Sequence, residues 1–418
     1  MMARISIRNI GPINSVDLNL NKINVLMGPQ SSGKSTIAKI VSFCRWAEKR
    51  YILDGNKFDY DLKEMLLGFH KMSEAYFSKD SSFEYESDFL KIHQSGLKFS
   101  LKFRSKKKNR EFQKSKNIYI PAERNFVSAI PNLGKYNETN DNIMSFLYDW
   151  FDAKKNYQEA NPLAILNLGI EYAFDKEIDQ LTLLKSKKKL HLKDASSGIQ
   201  SITPLFMLVD YLTDWFYRET RVNSVNEREE IIKSIIEHYV AKANLISVGS
   251  NLDNMLPKTE IKLSDREIAQ MLTQVENWTK YFFTNFIIEE PEQNLFPTTQ
   301  RDFVYFLFDR IINSNRPHSL LITTHSPFIL YAINNCLMGK RVSRDMPEDE
   351  QIELPSHQSW ASSDLVSIWQ IHNGEIKSVL DERTGTVTKH YFNEIMNELL
   401  EEYYDMLNYF KNDRPVQG

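Results

Sequence analysis

Three short apolar segments that each run into polar residues, with helical stretches between them, predict an α/β fold. The expected architecture is a mixed central sheet with flanking helices, to which an antiparallel β subdomain and a helical insertion are added. The segments are Ile23-Asn24-Val25-Leu26-Met27, Asn285-Phe286-Ile287-Ile288 and Ser319-Leu320-Leu321-Ile322-Thr323. A parallel sheet buries such strands on both faces and presents its active edge where they end. The chain has 418 residues, of which 42% are apolar, enough to bury the core of one large or two modest domains.

The elements follow in order. Residues 4–9 alternate with period two, Gly11-Pro12 marks a turn, and residues 16–20 alternate again, which reads as a hairpin. After the 23–27 strand come a glycine-bounded loop and a helix over 35–46. Strand character returns over 81–120. Residues 97–103 alternate just before the basic turn Lys106-Lys107-Lys108-Asn109-Arg110, which predicts a second hairpin there. Residues 142–174 read as helical, a strand pair surrounds the basic turn at 185–189, and a helix is expected over 200–217. The more polar stretch 218–280 reads as an insertion, too short for a long coiled-coil arm. Beyond the last two apolar strands come a helix after His325, a polar loop over 342–362, a strand pair over 366–379 and a final helix over 390–410. That helix sets Phe392, Ile395, Met396, Leu399, Leu400, Tyr403, Met406, Leu407 and Phe410 on one face, either to pack on the rest of the chain or to dock a partner.

Composition narrows the function less than the motifs do. Lys plus Arg (52) nearly balances Asp plus Glu (55), so a nucleic-acid site would have to be a local patch. The turns at 106–110 and 185–189 are either solvated hairpin tips or contacts to DNA or RNA phosphates. Cys44 and Cys336 have no CxxC or Cys/His spacing, so buried thiols in a reducing cytoplasm are expected. There is no signal-peptide pattern. The most apolar run, 204–216, is too short to span a bilayer and contains Asp210 and Asp214, so no membrane segment is read.

Four motifs carry chemistry. Gly28-Pro29-Gln30-Ser31-Ser32-Gly33-Lys34-Ser35 is a complete G-x-x-x-x-G-K-[ST] between a strand and a helix. Its backbone N–H groups and the helix N-terminus point at a triphosphate, Lys34 supplies charge at the β/γ oxygens, and the Ser35 hydroxyl ligates Mg²⁺. Phe286-Ile287-Ile288-Glu289-Glu290-Pro291 delivers adjacent carboxylates to a strand end. Neighbouring strand residues face opposite ways, so Glu289 can serve the metal and Glu290 the attacking water, a Walker B arrangement. Leu320-Leu321-Ile322-Thr323-Thr324-His325-Ser326-Pro327 ends another strand in an imidazole able to sense a γ-phosphate and orient water. Asp194-Ala195-Ser196-Ser197-Gly198-Ile199-Gln200 is a small-residue turn opening an apolar helix. It is either a plain N-cap or an anion site for a phosphate presented by a second subunit.

In this order the four motifs, GPQSSGKS, ASSGIQS, FIIEEPEQNLFP and LLITTHSP, resemble ABC-type ATPase heads of the SMC, RecF and OLD kind. They are especially similar to small ATPases of bacterial anti-phage defence systems such as Septu and PARIS. The resemblance implies a P-loop NTPase fold of ABC-ATPase type, with an N-terminal lobe over 1–217, a helical insertion over 218–280, a C-terminal lobe over 281–380 and a terminal helix over 381–418. It implies ATP and Mg²⁺ as ligands. Gly28, Pro29, Gln30, Ser31, Ser32, Gly33, Lys34, Ser35 and Thr36 would be Walker A, with Gln30 where many relatives carry Asn. Ser197, Gly198 and Gln200 would be the signature motif that meets the nucleotide of the opposite subunit. Glu290 would be the catalytic carboxylate, Ser35 and Glu289 the metal ligands, and His325 the switch histidine.

The implied active unit is a homodimer or higher homo-oligomer closed around ATP. It would control a separately encoded effector such as a nuclease; the alternative implied by the same resemblance is a RecF-like, DNA-binding ATPase of repair or chromosome maintenance. Some positions depart from the pattern. Ile199 replaces the second glycine of the usual signature, Glu289 stands where many heads carry Asp, and Phe296 stands where His or Asp is common. No Q-loop glutamine is identified. Arg124, in Tyr119-Ile120-Pro121-Ala122-Glu123-Arg124, either approaches the nucleotide or the dimer seam or forms a structural salt bridge. OLD-type proteins continue into a metal-binding nuclease domain, whereas no paired Asp-x-Asp cluster follows His325, so a chain without its own effector is expected.

Overall fold

The computed structural model describes residues 3–54, 58–104, 112–130, 141–218, 273, 275, 278–387 and 390–410. Alternation of apolar and polar residues builds β1 (Ala3–Ile10) and β2 (Ile13–Leu20), an antiparallel hairpin whose Ile5, Ile7, Val16 and Leu18 are buried. Strand β3 (Ile23–Met27) is buried throughout and runs through the glycine-bounded loop into α1 (Lys34–Asp54). Next come β4 (Ser82–Glu86), β5 (Leu90–Ser95), β6 (Lys98–Phe103), β7 (Ser115–Ile120) and α2 (Asn142–Lys154). A four-stranded antiparallel sheet follows from β8 (Leu163–Ala164), β9 (Ile170–Asp175), β10 (Ile178–Leu183) and β11 (Lys189–His191), and leads into α3 (Ser197–Asp210). The remaining elements are β12 (Phe283–Glu289), α4 (Pro297–Ile312), β13 (Ser319–Thr324), α5 (Pro327–Val342), β14 (Val366–His372), β15 (Glu375–Ser378) and α6 (Tyr391–Leu407).

Eleven strands form one mixed sheet in the order β6-β5-β4-β1-β2-β15-β14-β3-β13-β12-β7. Its functional half is the run β14-β3-β13-β12-β7, in which every neighbouring pair is parallel. All five strands therefore end at one edge. Successive side chains serve opposite faces, as strand geometry requires. Val25, Phe286, Ile288, Leu320 and Ile322 join the core beneath α2, α3, α4 and α5, whereas Leu26, Ile287 and Leu321 join the core beneath α1. Helix α1 reaches that core with Ile37, Ile40, Val41, Cys44 and Ala47, spaced three and four apart on one stripe. Across the other layer, Asp210 at the end of α3 accepts from Tyr157 (2.8 Å) and pairs with Arg310 of α4 (2.6 Å). Pro204 lies inside α3 and cannot donate to the Gln200 carbonyl; the Ser128 hydroxyl takes that acceptor instead at 3.0 Å.

The mixed sheet, its flanking helices and the small antiparallel sheet are as the sequence predicts, as are the hairpins of β1–β2, β10–β11 and β14–β15. Both cysteines are free and buried. Three expectations are corrected. The polar loop expected over 342–362 contains a short helix, Glu348–Glu353. There is no hairpin joining β6 to β7 through the basic turn at 106–110: β6 pairs with β5 across Gly96, and β7 lies at the opposite edge of the sheet. The basic turn itself lies outside the described residues. The helix expected over 142–174 ends at Lys154, and 163–164 and 170–175 are strands. The insertion read over 218–280 falls almost wholly outside the described residues. Helix α6 buries none of its residues; Phe392 packs at the edge of the core, while Met396, Leu399, Tyr403 and Met406 are more than half exposed. Among the described residues no helix is long and apolar enough to cross a membrane.

Candidate functional site

Parallel pairing gathers the motifs. The glycine loop follows β3, the paired glutamates close β12, His325 follows β13, and Arg124 lies in a turn just after β7. Since β13 lies between β3 and β12, a side chain at its end can reach both neighbours. His325 does so. Its Nδ1 is 3.1 Å from the Gly28 carbonyl oxygen and its Nε2 is 2.9 Å from Glu290 Oε1. Both partners are acceptors, so a proton on each ring nitrogen, or one shared with Glu290, satisfies the pair.

The loop over 28–35 is built on backbone that side chains would obstruct. A Cβ at Gly28 would run into the Ile371 carbonyl oxygen of β14, and one at Gly33, where φ is +102°, would sit 2.7 Å from Ile13 Cγ1. Lys34 opens α1 but folds back over the loop, donating to the carbonyls of Gly28 (2.9 Å) and Pro29 (2.6 Å) and to Ser32 Oγ at 3.4 Å. Burial brings its ammonium down to about 8, against the opposing attraction of Glu290, Glu292 and Glu289. Thr36 is buried, whereas Gln30, Ser31 and Ser35 are exposed at the loop surface.

Glu290 is displaced from the strand path. Its φ is +42° and its N–H donates to the Thr323 carbonyl at 2.9 Å, so the carboxylate turns toward His325. The hydrogen bond from His325, strengthened by its charge and by Lys34, holds the Glu290 carboxyl below its usual range although burial opposes this. Glu289 is buried with the Tyr119 hydroxyl beside it, and its Oε1 makes no hydrogen bond of ordinary geometry among the described residues. A buried carboxylate oxygen left open in this way fits a cation, with the exposed Ser35 hydroxyl as the second protein oxygen. Among the described residues no cluster of three or more His, Cys, Asp or Glu could hold a metal, so phosphate and water oxygens would have to complete a Mg²⁺ shell.

Two residues matter more than the motifs alone indicate. Glu292 is half-buried and accepts from the His325 N–H (2.5 Å) and from Thr324 Oγ1 (2.9 Å), tying the end of β13 to the turn after β12. Arg124 is fully buried and makes no salt bridge among the described residues. Its guanidinium donates to the carbonyls of Glu289 (2.9 Å), Glu290 (2.9 Å), Pro291 (3.2 Å), Pro121 (3.4 Å) and Ser201 (3.3 Å). It fixes the carboxylate-bearing turn against α3. The readings of Arg124 as a nucleotide contact or an ion-pair member are corrected accordingly.

The signature residues open α3. Ser197 is exposed, and a Cβ on Gly198 would lie 2.8 Å from the Asn294 carbonyl oxygen. The Gln200 side chain donates to the Lys193 carbonyl at 2.7 Å, bracing its own turn. Among the described residues no hydrogen bond joins Ser197, Gly198 or Gln200 to residues 28–36 of the same chain. Phe296, in the loop after Glu290, is 71% exposed.

No family model matches this sequence, and no curated protein does. Among solved structures the chain is similar to the SMC head domain from Thermotoga maritima, with 9% identity and a TM-score of 0.37 over 90% of this chain and 98% of that one. It is likewise similar to the Smc head domain bound to the C-terminal domain of ScpA derived from Pyrococcus furiosus (8%, TM-score 0.36, 96% and 99% covered). A third is the recombination mediator protein RecF of the RecFOR pathway (12%, TM-score 0.32, 91% and 98% covered). These likenesses are distant; the strand order and the loop after β3 define the P-loop NTPase fold of this chain on their own.

Proposed function

We propose that the chain binds Mg²⁺-ATP at residues 28–36 and hydrolyses it when two copies close head to head. The observation that supports this best is the His325 imidazole, in contact with both the Gly28 carbonyl of the phosphate loop and the Glu290 carboxylate. In this reading Lys34 leaves its loop carbonyls for the phosphate oxygens. Glu290, ionised, takes up the proton of an attacking water, and His325 holds that carboxylate in line with the γ-phosphate. When bound, Mg²⁺ supplies charge neutralisation at the β and γ phosphates, and Ser35 and Glu289 are the residues to hold it. Exposed Ser197 and the close-packed Gly198 would meet the nucleotide of the other copy, where the amides at the start of α3 favour an anion; Gln200 would shape that turn. We further propose that closure controls a separately encoded effector, such as a nuclease, in anti-phage defence, a reading supported by the order and wording of the four motifs.

The test is solution mass and ATP turnover for the wild type and for Glu290→Gln, with and without Mg²⁺-ATP. The variant should bind ATP, lose roughly 10²–10³-fold in turnover and accumulate as a dimer or larger assembly. Turnover at the wild-type rate would remove Glu290 from the mechanism.

A further inference from the structure

The edge of the sheet opposite the phosphate loop holds a cavity of about 920 Å³. Ser115, Phe283 and Ser319, the first residues of β7, β12 and β13, line it, together with the fourth and fifth turns of α1. That places it about 17–22 Å along α1 from Lys34.

Its walls are cationic in an unusual way. Lys22, Arg45 and Lys49 all line the cavity, and among the described residues none of their side chains has an ion-pair partner. Arg45 Nη1 is a buried donor without an acceptor. The Lys49 ammonium lies over the ring of Tyr281, 5.8 Å from its centroid. His318 is fully buried, and its Nδ1 accepts from the Thr284 N–H at 2.9 Å. In the neutral ring the proton is then on Nε2, which is buried beside the Thr213 backbone. The one carboxylate in the wall, Glu48, already accepts from Tyr85 (2.9 Å) and from Ser87. The three cations are half-buried, and Glu48 offsets only part of the charge, through Arg45; partly buried cations in such excess favour an anion. Aromatic surface from Phe89 and Phe112 completes the wall.

We propose that this cavity is a second ligand site, for a small phosphate-bearing molecule with a planar ring, a nucleotide being the class that matches both halves of the wall. Lys22, Arg45 and Lys49 take the phosphates, and the aromatic residues take the ring. Because α1 starts at the phosphate loop and passes through this wall at Arg45 and Lys49, one helix touches both sites.

The experiment is calorimetric titration of the full chain with ADP. Lys34→Ala should retain about one ADP per chain, and Lys34→Ala combined with Arg45→Met and Lys49→Met should retain none. Arg45→Met with Lys49→Met alone should melt no lower than the wild type, since partly buried cations in excess are removed, and should keep its ATP turnover. Lys49→Gln in the Lys34→Ala background, the milder change, should weaken ADP binding about tenfold. Absence of ADP binding by Lys34→Ala, or binding left unchanged by Lys49→Gln and by the double substitution, would overturn the proposal.

Discussion

His325 Nε2 lies 2.9 Å from Glu290 Oε1, and this contact joins the side chains that follow two neighbouring parallel strands, β13 and β12. Replacing His325 with Ala removes the principal influence that keeps the Glu290 carboxyl acidic, and the remaining burial pushes it up. A base must be ionised to act, so the acid limb of the pH–rate profile should move to higher pH. Turnover at its optimum should fall roughly 10²-fold, with ATP affinity within a few-fold of wild type. A profile with an unmoved acid limb would separate His325 from Glu290.

Lys34 makes nucleotide affinity pH-dependent. Its ammonium titrates at about 8 in the nucleotide-free site because burial outweighs three nearby carboxylates. Phosphates restore the charge, so above pH 8 binding must take up a proton. Affinity should be flat below that point and fall by about tenfold per pH unit above it. Titrations in buffers of different ionisation enthalpy should show proton uptake at pH 9 and little at pH 7.

Arg124→Met should be among the costliest substitutions in the chain. It strips the donor from a group of backbone carbonyls around the carboxylate-bearing turn. Leaving such acceptors unpaired costs about 3 kcal/mol or more in total, measurable by denaturant unfolding. Arg124→Lys should recover little, because an ammonium cannot span the fork.

Two buried neutral histidines set an acid limit on stability. Burial lowers His70 to about 3 and His318 to about 4, both below the 6.5 of an unfolded chain. The unfolded chain therefore binds more protons between those values. Their contribution is complete above pH 6.5 and is lost as pH falls from there toward 3–4. His70→Phe, which also removes two ring nitrogens with no hydrogen-bond partner, should flatten the fall in melting temperature between pH 6.5 and 4.

What the sequence revealed and what it hid divide along the range of the interactions. The glycine loop, Glu289-Glu290 and His325 are legible because each lies at the end of an apolar strand, and parallel pairing carries local signals to one edge. Alternation in 97–103 marks a strand but not its partner, which turned out to be β5 rather than β7. The helix at 142 was drawn too long because Asn156, Asn161 and Pro162, a run of turn-forming residues, were outweighed by apolar spacing; Asn156 in fact donates back to the Asp152 and Ala153 carbonyls and ends it. Arg124 was unreadable for a different reason: its acceptors are main-chain atoms of a turn far along the chain, and carbonyls leave no trace in side-chain patterns. The apolar stripe of α6 is a true pattern that the described residues leave uncovered.

Strand β14 enters the sheet beside β3 and lays the Ile371 carbonyl against Gly28. A nascent chain therefore carries its complete phosphate motif long before it has the wall behind it. β3 must wait, open on both sides, for β13 and then for β14 to be translated. Under the proposed function nucleotide capture would be a late event of synthesis, and a fragment released before residue 366 would own the motif without the pocket.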